Sequence, residues 1–433
     1  MADPGSSASA RTAGGPTHGR AFASVLVRAI ALGLVAGLFG LVYLIGVEWL
    51  TEAIWPHEHP TGWFSGGIVA LVIPLVAGLV VGLAYRVLRL PPRFGGFIDE
   101  LQEGRVEPAT APAAVGIAVV SLVGGASLGP EAPLGTASGA AGTWLARRDG
   151  ADAEGVRALT FIGMSGAFGG LMSTPIGGPL LAFELEHDQS HRYYLTQLVP
   201  GILSGAVAFG IMWPVLGAPI SGLLALERGS FASWMLVAAV GLGVAGVLAA
   251  VVVGRILVAL AEVFRRLDAR PIARGLLGGA VLGAIGFTLP LTLFSGQTTL
   301  PVVLDDAGRM GVAMLVVLAL AKAVTLGVSL GSGFFGGPIF PTFFIGGVLG
   351  VAVHALLPQI PLALAVGGMI AALGAAIALL PLSMAILVAI MVQSGLEYFA
   401  AIVVAAATAY AIRVLLTRPG EQGDMQRSSG AEP

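Results

Sequence analysis

The chain has no cysteine among its 433 residues, which excludes a disulfide framework and a thiolate metal site and leaves the redox compartment unmarked. Its six histidines, His18, His57, His59, His187, His191 and His354, lie without the spacing of metal ligands, so no metal centre is expected. Charge is scarce: Asp, Glu, Lys and Arg make up 11% of the residues, and Lys322 is the one lysine. A net charge of −2 provides no basic surface for a nucleic acid. No phosphate-binding loop and no nucleophile with an adjacent base occurs, so neither an enzyme nor a cofactor site is expected.

What is abundant is apolar. Hydrophobic residues account for 56% of the chain, leaving too little polar surface to coat a soluble globule. The fold class expected is an all-α integral membrane protein. Apolar runs of membrane-spanning length recur between residues 22 and 416, and 64 glycines with 26 prolines exceed what uninterrupted spans need, so close packing and broken helices are predicted. Residues 1–21 read as a disordered tail, 22–225 and 226–418 as two membrane repeats, and 419–433 as a second disordered tail. The pattern predicts helices over 22–55 and 63–88 with a loop at 56–60 between them. Basic residues mark one side of both helices, Arg11, Arg20 and Arg28 at the start of the first and Arg86, Arg89 and Arg93 at the end of the second. Further basic residues at Arg265, Arg266, Arg270 and Arg274, then Arg413 and Arg418, fit the same side. The positive-inside rule therefore predicts a multi-pass protein of the cell membrane with both termini cytoplasmic.

One device occurs twice. Ser127-Leu-Gly-Pro-Glu-Ala-Pro-Leu-Gly135 and Ser329-Leu-Gly-Ser-Gly-Phe-Phe-Gly-Gly-Pro-Ile-Phe-Pro-Thr342 each follow an apolar helix, break the backbone with Gly and Pro, and open a new apolar segment. Ser127 and Ser329 are 202 positions apart. Gly163-Met164 with Pro175 recurs as Gly368-Met369 with Pro381, about 206 apart at the prolines (175 to 381), and a fixed long period signals duplication. Broken helices at matching positions of two halves mark a transporter's midplane site, because their N-termini aim partial positive charge at an anion. Glu131 sits at the first break. A dipole-compensating carboxylate at a helix start contributes roughly 0.3 to 1 kcal/mol, whereas a carboxylate at the bilayer centre costs about 2.5 to 3.5 kcal/mol. A purely structural Glu131 does not balance, and a titratable gate competing with an anion for the helix ends does.

The other interior charges are less specific. Glu184 and Glu186 end an apolar segment that begins at Pro175, and fit either a solvated helix end or a proton path. Lys322 interrupts an apolar run and fits either snorkelling to an interface or pairing with a carboxylate. Glu397, after Gly395, marks a loop or a helix start.

Together these segments resemble the CLC family of chloride channels and proton-coupled chloride antiporters, over residues 93–187 and 294–350 with weaker similarity across 22–418. Gly129-Pro-Glu-Ala-Pro133 is similar to the family's Gly-Lys/Arg-Glu-Gly-Pro segment, and Gly336-Gly-Pro-Ile-Phe-Pro341 to its second Gly-Gly segment. Ala167-Phe168 through Pro175 and Ala182-Phe-Glu184 resemble the run between them. The resemblance implies two inverted repeats with broken, re-entrant helices, and a homodimer in a lipid bilayer with one anion pathway per subunit. It implies that Glu131 is the external gate, and that an anion is bound around Gly95, Gly96, Gly129, Glu131, Ala132, Ile339 and Phe340. Glu184 and Glu186 lie at the implied proton path.

Three departures bear on mechanism. Gly96 stands where the resemblance expects a serine hydroxyl, in Gly95-Gly-Phe-Ile-Asp99. The expected tyrosine falls near Glu421, and Tyr410 is about three turns too early at 3.6 residues per turn. Leu185 aligns with the internal proton-transfer glutamate, between Glu184 and Glu186. The reading is transport of chloride or a similar small anion, gated by Glu131 and leaning to channel-like or uncoupled conduction. The alternatives are chloride/proton antiport, with protons as a second cargo, and a scaffold that has lost transport.

Overall fold

The computed structural model describes residues 16–55, 67–92, 100, 103–185, 193–217, 220–224, 226, 229–393 and 395–416. The first half of the chain forms α1 (Pro16–Ile54), α2 (Gly67–Val87), α3 (Ala111–Val123), α4 (Glu131–Arg148), α5 (Ala153–Leu171), α6 (Gly177–Leu185) and α7 (Val199–Leu216), the last entered through a π-helical turn, Tyr194–Leu198. The second half forms α8 (Trp234–Arg265), α9 (Pro271–Thr288), α10 (Thr299–Asp305), α11 (Val312–Ser332), α12 (Ile339–Leu356), α13 (Leu362–Ala378), α14 (Pro381–Val392) and α15 (Leu396–Leu416). A 3₁₀ turn, Pro290–Thr292, follows α9. Among the described residues no strand forms, and the chain is an all-α membrane fold of two inverted repeats with broken helices.

Helix starts follow local chemistry. α1 begins at Pro16, inside the stretch expected to be a disordered tail, because proline suits a first helical position where its missing N–H is not needed. α9 and α14 likewise open on Pro271 and Pro381. Glu397 falls in the first turn of α15, one of the two positions its sequence context allowed. Residues 1–15, residues 56–66, which include the loop expected at 56–60, and residues 417–433 lie outside the described residues.

Among the described residues eight helices are long and apolar enough to cross a membrane: α1, α2, α7 with its π turn, α8, α9, α11, α12 and α15. Their outward faces carry large apolar side chains such as Val42, Trp49, Val237, Leu248 and Val258, as contact with lipid requires. The interior is made by α12, α13 and α14, where Phe340, Phe344, Val366, Ile370 and Val388 are buried. Elsewhere, small residues let backbones touch. On α2 and α9, a Cβ on Gly78 would collide with the Gly275 carbonyl, and one on Gly275 with that of Gly78. That is the small-residue packing by which membrane helices associate without a hydrophobic drive.

At one end of the bundle, Arg147 of α4 clasps Glu107 with two hydrogen bonds of 3.0 and 2.9 Å, and Arg28 of α1 meets Asp149 at 2.8 Å. The Arg147 guanidinium holds the Glu107 carboxyl below the usual carboxylate range, but both partners are exposed, so the pair adds little stability.

Candidate functional site

The site begins with two matched helix starts. α4 opens as Pro130-Glu131-Ala132-Pro133 and α12 as Pro338-Ile339-Phe340-Pro341. The first four backbone positions of a helix have no acceptor within it, and a proline has no N–H to leave unpaired. Prolines at the N-cap and third helical positions therefore reduce each start to two donors, Glu131 and Ala132 on α4, Ile339 and Phe340 on α12. Helical bonding proper begins with Leu134 N–H to Pro130 and Thr342 N–H to Pro338.

The two starts are joined through their glycines. Gly129 N–H donates to the Gly337 carbonyl at 2.7 Å and Gly337 N–H donates back at 2.8 Å, forming an isolated antiparallel bridge. Gly129 thus frames the break and has no N–H to offer an anion. Each break is also tethered by a hydroxyl from the opposite half. Ser127 N–H donates to Ser329 Oγ of α11 at 3.0 Å, and Phe335 N–H donates to Ser121 Oγ of α3 at 3.0 Å. Both tethers are buried, so the freed backbone of two broken helices finds partners inside the protein, as a membrane interior demands.

Glu131 fills the space between the starts. Its side chain is fully buried, and Oε1 accepts the Ile339 N–H at 2.7 Å. Oε2 is buried and has no hydrogen-bond partner among the described residues. The carboxylate therefore reaches from its own helix start to that of α12. It lies across the pseudo-symmetry at the positive end of α12, where helix starts bind anions. A Cβ on Gly337 would overlap the Glu131 carboxyl group, so the seat exists because that position carries no side chain.

Of the other residues singled out in the sequence, Ala132 and Phe340 are buried beside Glu131's seat, the Phe340 ring packing against Gly129. Gly95, Gly96 and Glu186 lie outside the described residues. Tyr410 is exposed on α15. Glu184 is used differently from Glu131: its carboxylate accepts the Leu382 and Ser383 N–H groups at 2.7 and 2.6 Å, capping α14 from α6. Removing that cap in Glu184→Ala should destabilise the protein by about 1 to 2 kcal/mol, read as a lower thermal midpoint of the purified chain. An unchanged midpoint would show that the contact is idle.

Lys322 does not snorkel, and among the described residues it meets no carboxylate. It is fully buried, donates to three backbone carbonyls and lies over the Phe344 ring at 4.9 Å. Backbone acceptors leave no trace in a sequence, so neither expectation for Lys322 includes this cage. Among the described residues no cluster of His, Asp and Glu is arranged to hold a metal ion.

The chain is similar to known proteins in sequence and in fold. Residues 97–413 match the family model described as voltage gated chloride channel. A relative named for ion transport, YfeO from Salmonella newport, is 30% identical over 311 residues, covering 67% of this chain and 70% of the relative. YfeO from Escherichia fergusonii is 26% identical over 372 residues, covering 81% and 84%. Among solved structures, a slow cyanobacterial Cl⁻/H⁺ antiporter superposes with a TM-score of 0.78 at 20% identity, covering 94% of this chain and 98% of that one. A CLC-type fluoride/proton antiporter gives 0.74 at 18% identity, covering 90% and 95%. At such identities the superpositions show the fold alone.

Proposed function

This chain belongs to the voltage-gated chloride channel (CLC) family, and on that premise we propose that it carries chloride or a similar small anion across a bilayer by a path in each subunit of a homodimer, gated by Glu131. The observation that carries the proposal is the Glu131 carboxylate on the Ile339 N–H. An ionised carboxylate held at a helix start occupies the place an anion would take. Protonation or displacement releases it and opens the seat. Ala132 and Phe340 then supply backbone donors to the anion, and the prolines keep the number of donors small. Both termini face the cytoplasm in this reading.

Uncoupled conduction is favoured over antiport by Leu185, which carries no proton at the position aligned with the internal proton-transfer group, and by Glu184, whose carboxylate is engaged as a helix cap. Antiport is the second reading, and the two antiporters of similar fold support it. A transport-inactive scaffold fits less well, because it gives no reason to keep a buried carboxylate in a costly position. The discriminating experiment records chloride efflux and external pH together from reconstituted liposomes, with and without a proton ionophore. Chloride efflux without proton movement supports conduction. Proton uptake at a fixed ratio to chloride establishes antiport, and absence of flux for chloride, fluoride and nitrate alike removes transport altogether.

A further inference from the structure

We propose that Lys322 is the fixed positive charge against which the transported anion is balanced, a residue that sets anion affinity and disfavours cations. The proposal rests on the reading of Glu131 as occupant of an anion seat.

Its charge state follows from donors and acceptors. Lys322 Nζ lies 3.0, 3.1 and 2.7 Å from the carbonyl oxygens of Thr292, Leu293 and Phe294. A neutral amine has two hydrogens and a lone pair, which would face the third oxygen. Three acceptors at bonding distance need three N–H groups, and only the ammonium has them. The Phe344 ring adds a face that attracts a cation.

Its imbalance follows from the inventory of buried charge. Among the described residues three ionisable side chains are fully buried: Glu131, Arg274 and Lys322. Arg274 is paired with Asp268 at 3.0 Å. Among the described residues Lys322 has no carboxylate within ion-pair distance, and neither Glu131 oxygen meets a cation. The interior therefore holds one unpaired positive and one unpaired negative charge, each bound to backbone. When Glu131 leaves its seat or takes up a proton, the positive charge remains, and an anion in the seat restores neutrality.

The two groups are linked through few residues. The Phe294 carbonyl holds Lys322, and the Phe294 N–H donates to the Gly125 carbonyl at 3.1 Å, at the head of the segment that ends in Gly129. On α11, Thr325 Oγ1 also donates to Thr292, and Ser329, one turn further on, tethers Ser127. Phe344 lies one turn beyond Phe340 on α12, the helix whose first N–H binds Glu131.

The test measures chloride and fluoride binding calorimetrically in the purified full chain, in a Glu131→Gln parent whose seat is open. A unit charge acting over ~10 Å at an effective dielectric of about 20 changes an ion's binding constant by roughly tenfold. Lys322→Met in that parent should weaken anion binding by about tenfold, while Lys322→Arg keeps it within about threefold. A purely structural lysine would predict lower yield or thermal midpoint with the affinity unmoved. Should Lys322→Met fail to assemble, Lys322→Gln, neutral and still able to donate two hydrogen bonds, carries the same expectation. Parent-like affinity in the neutral variant overturns the role of Lys322 alone. A parent that binds neither anion overturns the Glu131 reading first, before Lys322 is altered.

Discussion

Glu131→Gln should give anion flux that no longer responds to pH. In the wild-type chain the carboxylate accepts the Ile339 N–H, and when it is ionised that hydrogen bond to a charged acceptor contributes about 1.5 to 3 kcal/mol. Glutamine has the same shape without the charge, and its amide nitrogen brings donors to a place already lined by donors. Occupancy of the seat by the side chain should fall by roughly tenfold or more, since 1.4 kcal/mol is a factor of ten. The sign is definite. Wild-type flux should rise as pH falls and the carboxylate is protonated out of the seat, whereas flux in the variant should stay high and flat. Efflux from liposomes buffered across the acid and neutral range reads this directly, and a wild-type pH profile in the variant would remove Glu131 from the gate.

Gly337→Ala should have an effect of the same kind without touching the carboxylate. The added methyl would overlap the Glu131 carboxyl group. Gly337 does not have a positive φ, so alanine is tolerated by the backbone and the side chain of Glu131 is what must yield. Expelling it from the seat should raise basal flux several-fold and flatten the pH profile, as in Glu131→Gln. The bridge to Gly129 uses backbone atoms alone and should survive, so the thermal midpoint should fall only modestly. Unchanged flux with a native midpoint would mean that the seat of Glu131 is not on the anion path.

These two positions also show what the sequence made legible. The break before Glu131 could be read because Gly129-Pro130 is a local signal, and the same holds for Gly337-Pro338. The pairing of Glu131 with Ile339 is a contact between halves, and the sequence supported only the general expectation that an ionised carboxylate would occupy a helix start. Lys322 was visible as a costly charge, but its two anticipated fates both assumed side-chain or solvent partners, and the carbonyls of residues 292–294 carry no residue-specific mark. The tail expected over residues 1–21 overran the start of α1 because its Ala, Gly and Ser composition hides a helix that begins on Pro16. Glu184 shows a further limit, since a carboxylate at the end of one helix and the free N–H groups of another become a cap only when the fold places them together.

The bridge between the two breaks has a consequence for biosynthesis. Glu131 and the N–H it binds are 208 residues apart. At ~5–20 residues per second, the ribosome delivers Ile339 about 10 to 40 s after Glu131. During that interval the first half holds a carboxylate with no seat and a broken helix whose Gly129 partner has not been made. A partly synthesised chain therefore cannot assemble the paired helix starts, which come together only when the second half folds back onto the first.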